Sequence, residues 1–506
     1  MKKTVSVILL LLTVIGCLSA CSGNVSVGGS PNESGSVSGS DPDSAQTGEN
    51  AAAAPPSEYV IPYSDYKDAD FCIAALSFPA NESWHAMDYC EVSAEELTGE
   101  TLNDAIYERS NHVESELHVK LSLFPLTDRS EAGPVFEKEV MAGDSHLKMA
   151  MMNGYNLASL TFKRVLLDQK GTELVDFSHS WWDPREVNDL AIGGSLYAST
   201  GDISLYLDFS QIVWYFNKAL IEDLQLDDPY ELVYNNEWTI DRAVALAKAA
   251  SLDLNGDGRT VAEDDQFGLM CEPLTLVQAI YAADIPLVRK DDDGMPYIAF
   301  DPYLDRAAEV AERLVPLMND RAVTLLNIHF PKVQGSVHFN VFLPTFMENR
   351  ALFYSNQLLV TLNLRDMDAD FGILPYPKYD ETQEFRSPIG PYWATFAVVP
   401  ASNKDYDMTG EVMEALGYYG QQLIVPAFVD KSVRYRSLRD EDSSNMLNII
   451  FENRCYDLAM IYNCGQLETM FSSLVESNSA NVSSMYASIK RSAQNKIDQT
   501  VKKLMR

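Results

Sequence analysis

Residues Asp253–Asp265 read DLNGDGRTVAEDD, and their spacing is that of a cation loop. A twelve-residue calcium loop takes oxygen ligands at positions 1, 3 and 5, glycine at 6, a backbone carbonyl at 7 and a carboxylate at 12. Asp253, Asn255, Asp257, Gly258, Arg259 and Asp264 occupy those positions in order. Calcium suits such a set because it accepts several oxygens in a flexible shell, and Gly258 permits the sharp turn. Asp264 is one methylene shorter than the usual glutamate, so closure on the ion needs a closer chain. The residues that follow, QFGLM, read as a strand and no second loop pairs with this one. The expectation is therefore a structural calcium ion and not an opening switch.

The elements that must position such a loop belong to a long chain of 506 residues, too many for one core. A hydrophobic fraction of 46% with 22% charged residues is globular, and a formal net charge of −35 excludes nucleic acid and anionic membrane as partners by repulsion. Lys2 and Lys3 precede the apolar run VSVILLLLTVIG, which meets LSAC. This is a secretory signal too short for a membrane span, and Leu18–Cys21 resembles a bacterial lipobox. Residues 1–21 are thus expected to be a lipoprotein signal peptide whose Cys21 carries the lipid on the outer face of the cytoplasmic membrane, as on a Gram-positive-type surface. Residues 22–57, rich in Ser, Gly, Pro and Ala, cannot bury enough surface to order themselves. They read as a tether with a reach of roughly 30–35 Å. Cys72, Cys90, Cys271, Cys455 and Cys464 are odd in number and lack CxxC spacing. They indicate neither zinc nor a disulfide framework; Cys72–Cys90 or Cys455–Cys464 pairs and buried free thiols all stay open.

Beyond Tyr59 the pattern alternates between periods. FCIAALSF reads as a buried strand, Leu102, Ile106, Val113 and Leu117 form a helical stripe, and Val119–Phe124 alternates as a strand. Thr239 is placed to cap a helix with Ile240, Val244 and Ala247 on one face. Helices alternating with short strands predict an α/β protein with largely parallel sheets.

Several stretches together resemble the extracellular solute-binding proteins (family 1) that feed carbohydrate-type ABC importers. They are VWYFNKALIEDLQL with NNEWTIDRAVALAKAAS, DLNGDGRTVAEDDQFGL, LRDMDADFGILPYPKYDETQ, WATFAVVPASNK and NMLNIIFENRCYDLA, in that order. The resemblance covers roughly Tyr59 to the C-terminus. It implies a two-lobed periplasmic-binding-protein-like fold (type II-like), with hinge strands and a ligand cleft between the lobes. The first lobe would hold residues 58–195 and about 396–445. The second would hold 196–395 and about 446–506, including the loop 253–264. It also implies a monomer that closes on a small polar solute, most plausibly a sugar or oligosaccharide, and presents it to ABC permease subunits.

A sugar offers an apolar C–H face and a rim of hydroxyls, so it calls for an aromatic platform with carboxylate and amide partners. Near the implied first crossing, SWWDPRE supplies Trp181, Trp182 and Asp183; near the second, GPYWATF supplies Tyr392 and Trp393. Strand ends offer Asn153 with Tyr155 and Tyr354 with Asn356, and Glu272 follows the strand after the loop. Against an enzyme, there is no HExxH, no GxSxG, no phosphate-cradling glycine loop and no nucleophilic cysteine context. A surface glycoside hydrolase would still need two carboxyl groups about 5–5.5 Å apart, which composition does not exclude. A ligand-sensing lipoprotein that signals to a membrane receptor needs the same closing cleft as an importer component.

Overall fold

The computed structural model describes residues 59–62, 64–77, 89–143, 146–364, 367–428, 441–462 and 464–504. The signal segment, Cys21 and the tether 22–57 lie outside them. Along the chain the strands are β1 (Ala69–Leu76), β2 (Val119–Leu126), β3 (Leu147–Asn153), β4 (Ile212–Asn217), β5 (Phe267–Cys271), β6 (Val288–Lys290) and β7 (Pro296–Ile298). They continue as β8 (Thr324–Leu326), β9 (Ala351–Gln357), β10 (Phe371–Leu374), β11 (Ser387–Pro388), β12 (Thr395–Val398) and β13 (Arg454–Cys455). Two sheets dominate, one in the order β12-β3-β1-β2 and one in the order β10-β4-β9-β5-β8; β6–β7 and β11–β13 form small pairs.

Local sequence accounts for most of these elements. The apolar run in β1 is buried along its length, as a strand covered on both faces must be. The helix Thr101–Leu117 buries Leu102, Ile106, Val113 and Leu117 and ends where His118 turns into the left-handed region at φ 49°. Glu100 opens it by accepting from the Asn103 amide at 2.8 Å. The helix Ile240–Ala249 starts at Thr239, whose hydroxyl accepts from the Arg242 amide at 3.4 Å. It buries Ile240, Ala243, Leu246 and Ala247 and leaves Val244 at the edge of that face.

The sheets are mixed, not largely parallel. β1 runs parallel to β2 and β3, and β5 parallel to β8 and β9. β12 is antiparallel to β3, and β4 is antiparallel to β9 and β10. The exceptions are the strands adjoining the crossings. β4 enters the second lobe from the first and β12 returns, so neither follows the crossover connection that makes neighbours parallel. The two crossings run side by side. Ser199 and Ala397 exchange both backbone hydrogen bonds (3.0 and 2.7 Å), and the Gly390 amide donates to the Ser210 carbonyl at 2.8 Å.

The chain after β12 serves both lobes. The helix Tyr406–Tyr419 packs with Thr101–Leu117 on the first sheet, and Glu441–Glu452 packs against β10 in the second. Leu458–Tyr462 lies on the first-lobe helix Gly154–Phe162, whereas Thr469–Glu476 lies on the second-lobe helix Leu274–Ala282. The segment 446–506 therefore does not belong wholly to the second lobe: its apolar residues continue one core into the other. Cys72, Cys271, Cys455 and Cys464 are free thiols, so neither Cys72–Cys90 nor Cys455–Cys464 is paired. Among the described residues no helix is long and apolar enough to cross a membrane.

Candidate functional site

A cavity of about 50 Å³, at the base of a hollow of about 510 Å³ that includes open solvent, opens where the ends of β5 and β9 meet the second crossing. Tyr155, Pro391 and Tyr392 wall it from the first lobe. Glu272 from the turn after β5, Thr275 and Gln278 from the helix Leu274–Ala282, Asn356 and Gln357 at the end of β9, and Tyr376 after β10 wall it from the second. Glu468 joins them from the loop before Thr469–Glu476.

The aromatic wall is held from behind by backbone. The Gly154 amide donates to the carbonyls of Pro391 (2.9 Å) and Ala394 (3.3 Å). A Cβ at Gly154 would stand 2.9 Å from the Pro391 oxygen, so only glycine allows this approach. Asn153 Nδ2 and an Arg129 terminal nitrogen donate to the Tyr392 carbonyl at 3.3 and 3.1 Å, and the Arg129 guanidinium lies 3.9 Å from the centre of the Trp393 ring. So fixed, Tyr155 and Tyr392 meet at 5.5 Å between ring centres yet remain 49% and 41% exposed.

The opposite wall is polar. Asn356 Nδ2 donates to the Tyr354 hydroxyl, which also meets His338 Nδ1, and Asn356 Oδ1 accepts from the Gln357 amide at 2.8 Å. Burial holds His338 down to about 4, so its ring is neutral at physiological pH. The hydroxyls of Ser355 and Tyr376 bond each other at 2.7 Å. Gln278 is 5% exposed and its Oε1 has no hydrogen-bond partner. Burial raises the Glu272 carboxyl, against a hydrogen bond from Asn327. Glu468 is pushed up to about 8, by burial first and then by the carboxylate of Asp457.

Four of the ten residues singled out from sequence thus line the cavity: Tyr155, Tyr392, Glu272 and Asn356. Asn153, Trp393 and Tyr354 are buried one layer behind, where they position Tyr392 and Asn356. Trp181 and Trp182 do not line the cavity; they fill the first-lobe core at 4% and 1% exposure. Their indole nitrogens both donate to Glu414, at 2.7 and 3.2 Å, which gives two buried N–H groups one acceptor. Asp183 is engaged as well, accepting from Arg185 (2.9 Å) and the Tyr456 hydroxyl (3.0 Å) and pairing with Arg454 at 3.4 Å. Its burial favours the neutral acid, but the two guanidiniums outweigh that and hold its carboxyl below the usual range. Sequence reasoning passed over Gln278, Tyr376 and Glu468. Gln278 is the one amide in LTLVQAI, a legible irregularity in an apolar helix; Glu468 carries no such signal.

The loop 253–264 closes on its own backbone. Asp253 accepts from the amides of Gly256 (2.7 Å) and Gly258 (2.8 Å), Asn255 from Asp257, and Asp257 from Arg259. Gly256 and Gly258 take φ of 71° and 78°. The buried acid that turns back into the loop is Asp265, accepting from Leu254 and Val261, whereas Asp264 is exposed. Among the described residues no three acidic, histidine or cysteine side chains gather as a metal site. As arranged, the side chains fit a set of Asx turns, not a complete calcium shell.

No family model and no curated protein matches this chain. Its fold, however, recurs in solved structures. An ABC substrate-binding protein from Listeria monocytogenes in complex with cycloalternan is 11% identical, with 86% of this chain and 98% of that one covered at a TM-score of 0.53. A maltose/maltodextrin-binding domain from Bdellovibrio bacteriovorus bound to maltotriose is 14% identical, with 86% and 100% covered at 0.52. The galacto-N-biose/lacto-N-biose I-binding protein of an ABC transporter from Bifidobacterium longum, in complex with lacto-N-biose, is 14% identical, with 87% and 98% covered at 0.54. This chain has that two-lobed, periplasmic-binding-type fold.

Proposed function

We propose that this chain is an extracellular binding protein that takes a small polar solute, a sugar or short oligosaccharide, into the cavity between its lobes and delivers it to an ABC permease. One observation carries the reading: two half-exposed tyrosines on one lobe face carboxyl and amide groups on the other across an open hollow. A platform for C–H faces opposite a hydrogen-bonding rim is what a sugar ring needs. The sugar complexes among proteins of the same fold support it. Binding across the two lobes would stabilise the closed form, which a permease can distinguish from the open one.

Calorimetric and thermal-shift screening against mono- and oligosaccharides tests this. A saturable heat and a raised melting temperature are expected; a flat response to every sugar would refute it. Because Glu272 and Glu468 both line the cavity, hydrolysis is the other reading to exclude, and no reducing sugar should be released from an oligosaccharide panel. We further propose anchoring through a lipid on Cys21; labelled palmitate should mark the wild-type protein, and a wild type without label would rule the anchor out. Calcium in the loop 253–264 is also proposed, on the ligand spacing of Asp253, Asn255, Asp257, Arg259 and Asp264 alone. It would require Asp264 to be recruited; absence of calcium heat, with an unchanged melting temperature under chelation, would leave a self-sufficient turn.

A further inference from the structure

The polar groups around the cavity are unequal in kind. None of the residues lining it is Lys, Arg or His, while two are glutamates. The Asn356 amide bonds Tyr354 through Nδ2 and the Gln357 amide through Oδ1, and the Ser355 and Tyr376 hydroxyls bond each other. The Oε1 of Gln278, nine-tenths buried or more, is an acceptor without a donor. The site therefore lacks positive charge, and it has tyrosine faces, which attract cations through their ring electrons.

We infer that the solute carries a protonated amine, as an amino sugar does, seated between the Glu272 and Glu468 carboxylates and the Tyr155–Tyr392 wall, with Gln278 accepting one of its hydrogens. This rests on the sugar-binding reading and narrows its substrate class. An ammonium brings three donors and a charge to acceptors that have no cationic side chain beside them. The groups that act on Glu468 are Asp457, Tyr155, Tyr281 and Cys464; those beside Glu272 are Asn327, Cys271 and Tyr354. No positive side chain is among them. Without a cation, Glu468 holds its proton to about pH 8. A bound ammonium favours the carboxylate, so binding near pH 7 should expel a proton to solvent. A neutral sugar would instead accept a hydrogen bond from the protonated acid and expel none. The two ligand types thus differ in the sign of their pH dependence: from pH 6 to 7.5 affinity rises for the amine and falls for the neutral ring.

The test is calorimetry on the full chain with amino sugars of gluco, galacto and manno configuration, their N-acetyl forms, the parent hexoses and the matching β-1,4 disaccharides. Titrations at pH 7 use two buffers of different ionisation heat. Expected are at least tenfold tighter binding of an amine-bearing sugar than of its N-acetyl form, release of a proton, and loss of that preference in Glu468→Gln. Glu272→Gln should weaken the preference too, and proton release in the unaltered protein decides the matter if either variant misfolds. An N-acetylated or neutral sugar binding as tightly, without proton release, overturns the amine and leaves the sugar-binding reading standing. Failure of all these sugars, charged and neutral, in a protein that melts cooperatively overturns both.

Discussion

Tyr155 and Trp181 show how one chemical class divides at the scale of single residues. Tyr155 and Tyr392 keep nearly half of their surface open beside the cavity, whereas Trp181 and Trp182 are enclosed with their nitrogens on Glu414. Tyr155→Ala and Tyr392→Ala should each weaken solute binding at least tenfold, about 1.4 kcal/mol, with little change in melting temperature. Trp181→Ala should do the reverse. Emptying a core site of that size costs about 3–5 kcal/mol of stability, while the dissociation constant of the protein that remains folded is unchanged. Paired calorimetry and melting curves separate the two patterns. The sequence could nominate both sets because aromatics, aspartate and asparagine suit cores and turns as well as sugar faces. What decides between these roles is the surrounding fold: Trp393 and Tyr392 are adjacent, and only the second reaches the cavity.

At the scale of elements, the crossings hold the site. Gly154 allows the start of one helix to touch the backbone of the return crossing, so Gly154→Ala should push Pro391 and Tyr392 away. A loss of about 1–3 kcal/mol in stability and weaker solute binding are expected together. Arg454 on β13 lies between Asp183 and Asp208, 2.6 Å from the latter, and all three are largely buried. Arg454→Ala would leave Asp208 without its cation and Asp183 with Arg185 alone, and should cost about 3–5 kcal/mol, read as a lowered melting temperature. The helices were legible in the sequence because their stripes and caps are local. Strand direction was not: parallel neighbours were expected from alternation, and the antiparallel β4 and β12 follow from where the chain crosses, which no local pattern records. The loop after Thr239 kept its turn glycines, but the acid that closes it is Asp265 and not the residue that the spacing selects.

For the whole molecule, acidity acts on stability with a definite sign. Burial first, then neighbouring carboxylates, raise Asp202 to about 7; burial raises Asp457 to about 6 and Glu468 to about 8. These groups hold more protons folded than unfolded between their ordinary values near 4 and these raised ones. Their contribution is complete below about pH 4 and is lost as pH climbs through 6, 7 and 8. The melting temperature should therefore fall from pH 5 to pH 8.5, with repulsion from a net charge of −35 acting in the same direction. Glu468→Gln should flatten the upper part of that decline. On the acid side Asp183, held low by its guanidiniums, withdraws support as it protonates. A two-lobed plan was readable from the order of several weak segments. The share of residues 446–506 between both lobes was not, because it depends on contacts made far away in the chain.

The placement of Trp393 has an optical consequence. Trp181, Trp182, Trp214 and Trp238 are enclosed in cores, whereas Trp393 lies directly behind a cavity-lining tyrosine, its ring 6.1 Å from that of Tyr392 and 3.9 Å from a guanidinium. A solute resting on Tyr392 alters the field and packing around this indole and leaves the four enclosed ones in constant surroundings. The unlabelled protein should accordingly report its own occupancy as a change in intrinsic emission, and Trp393→Phe should silence that signal.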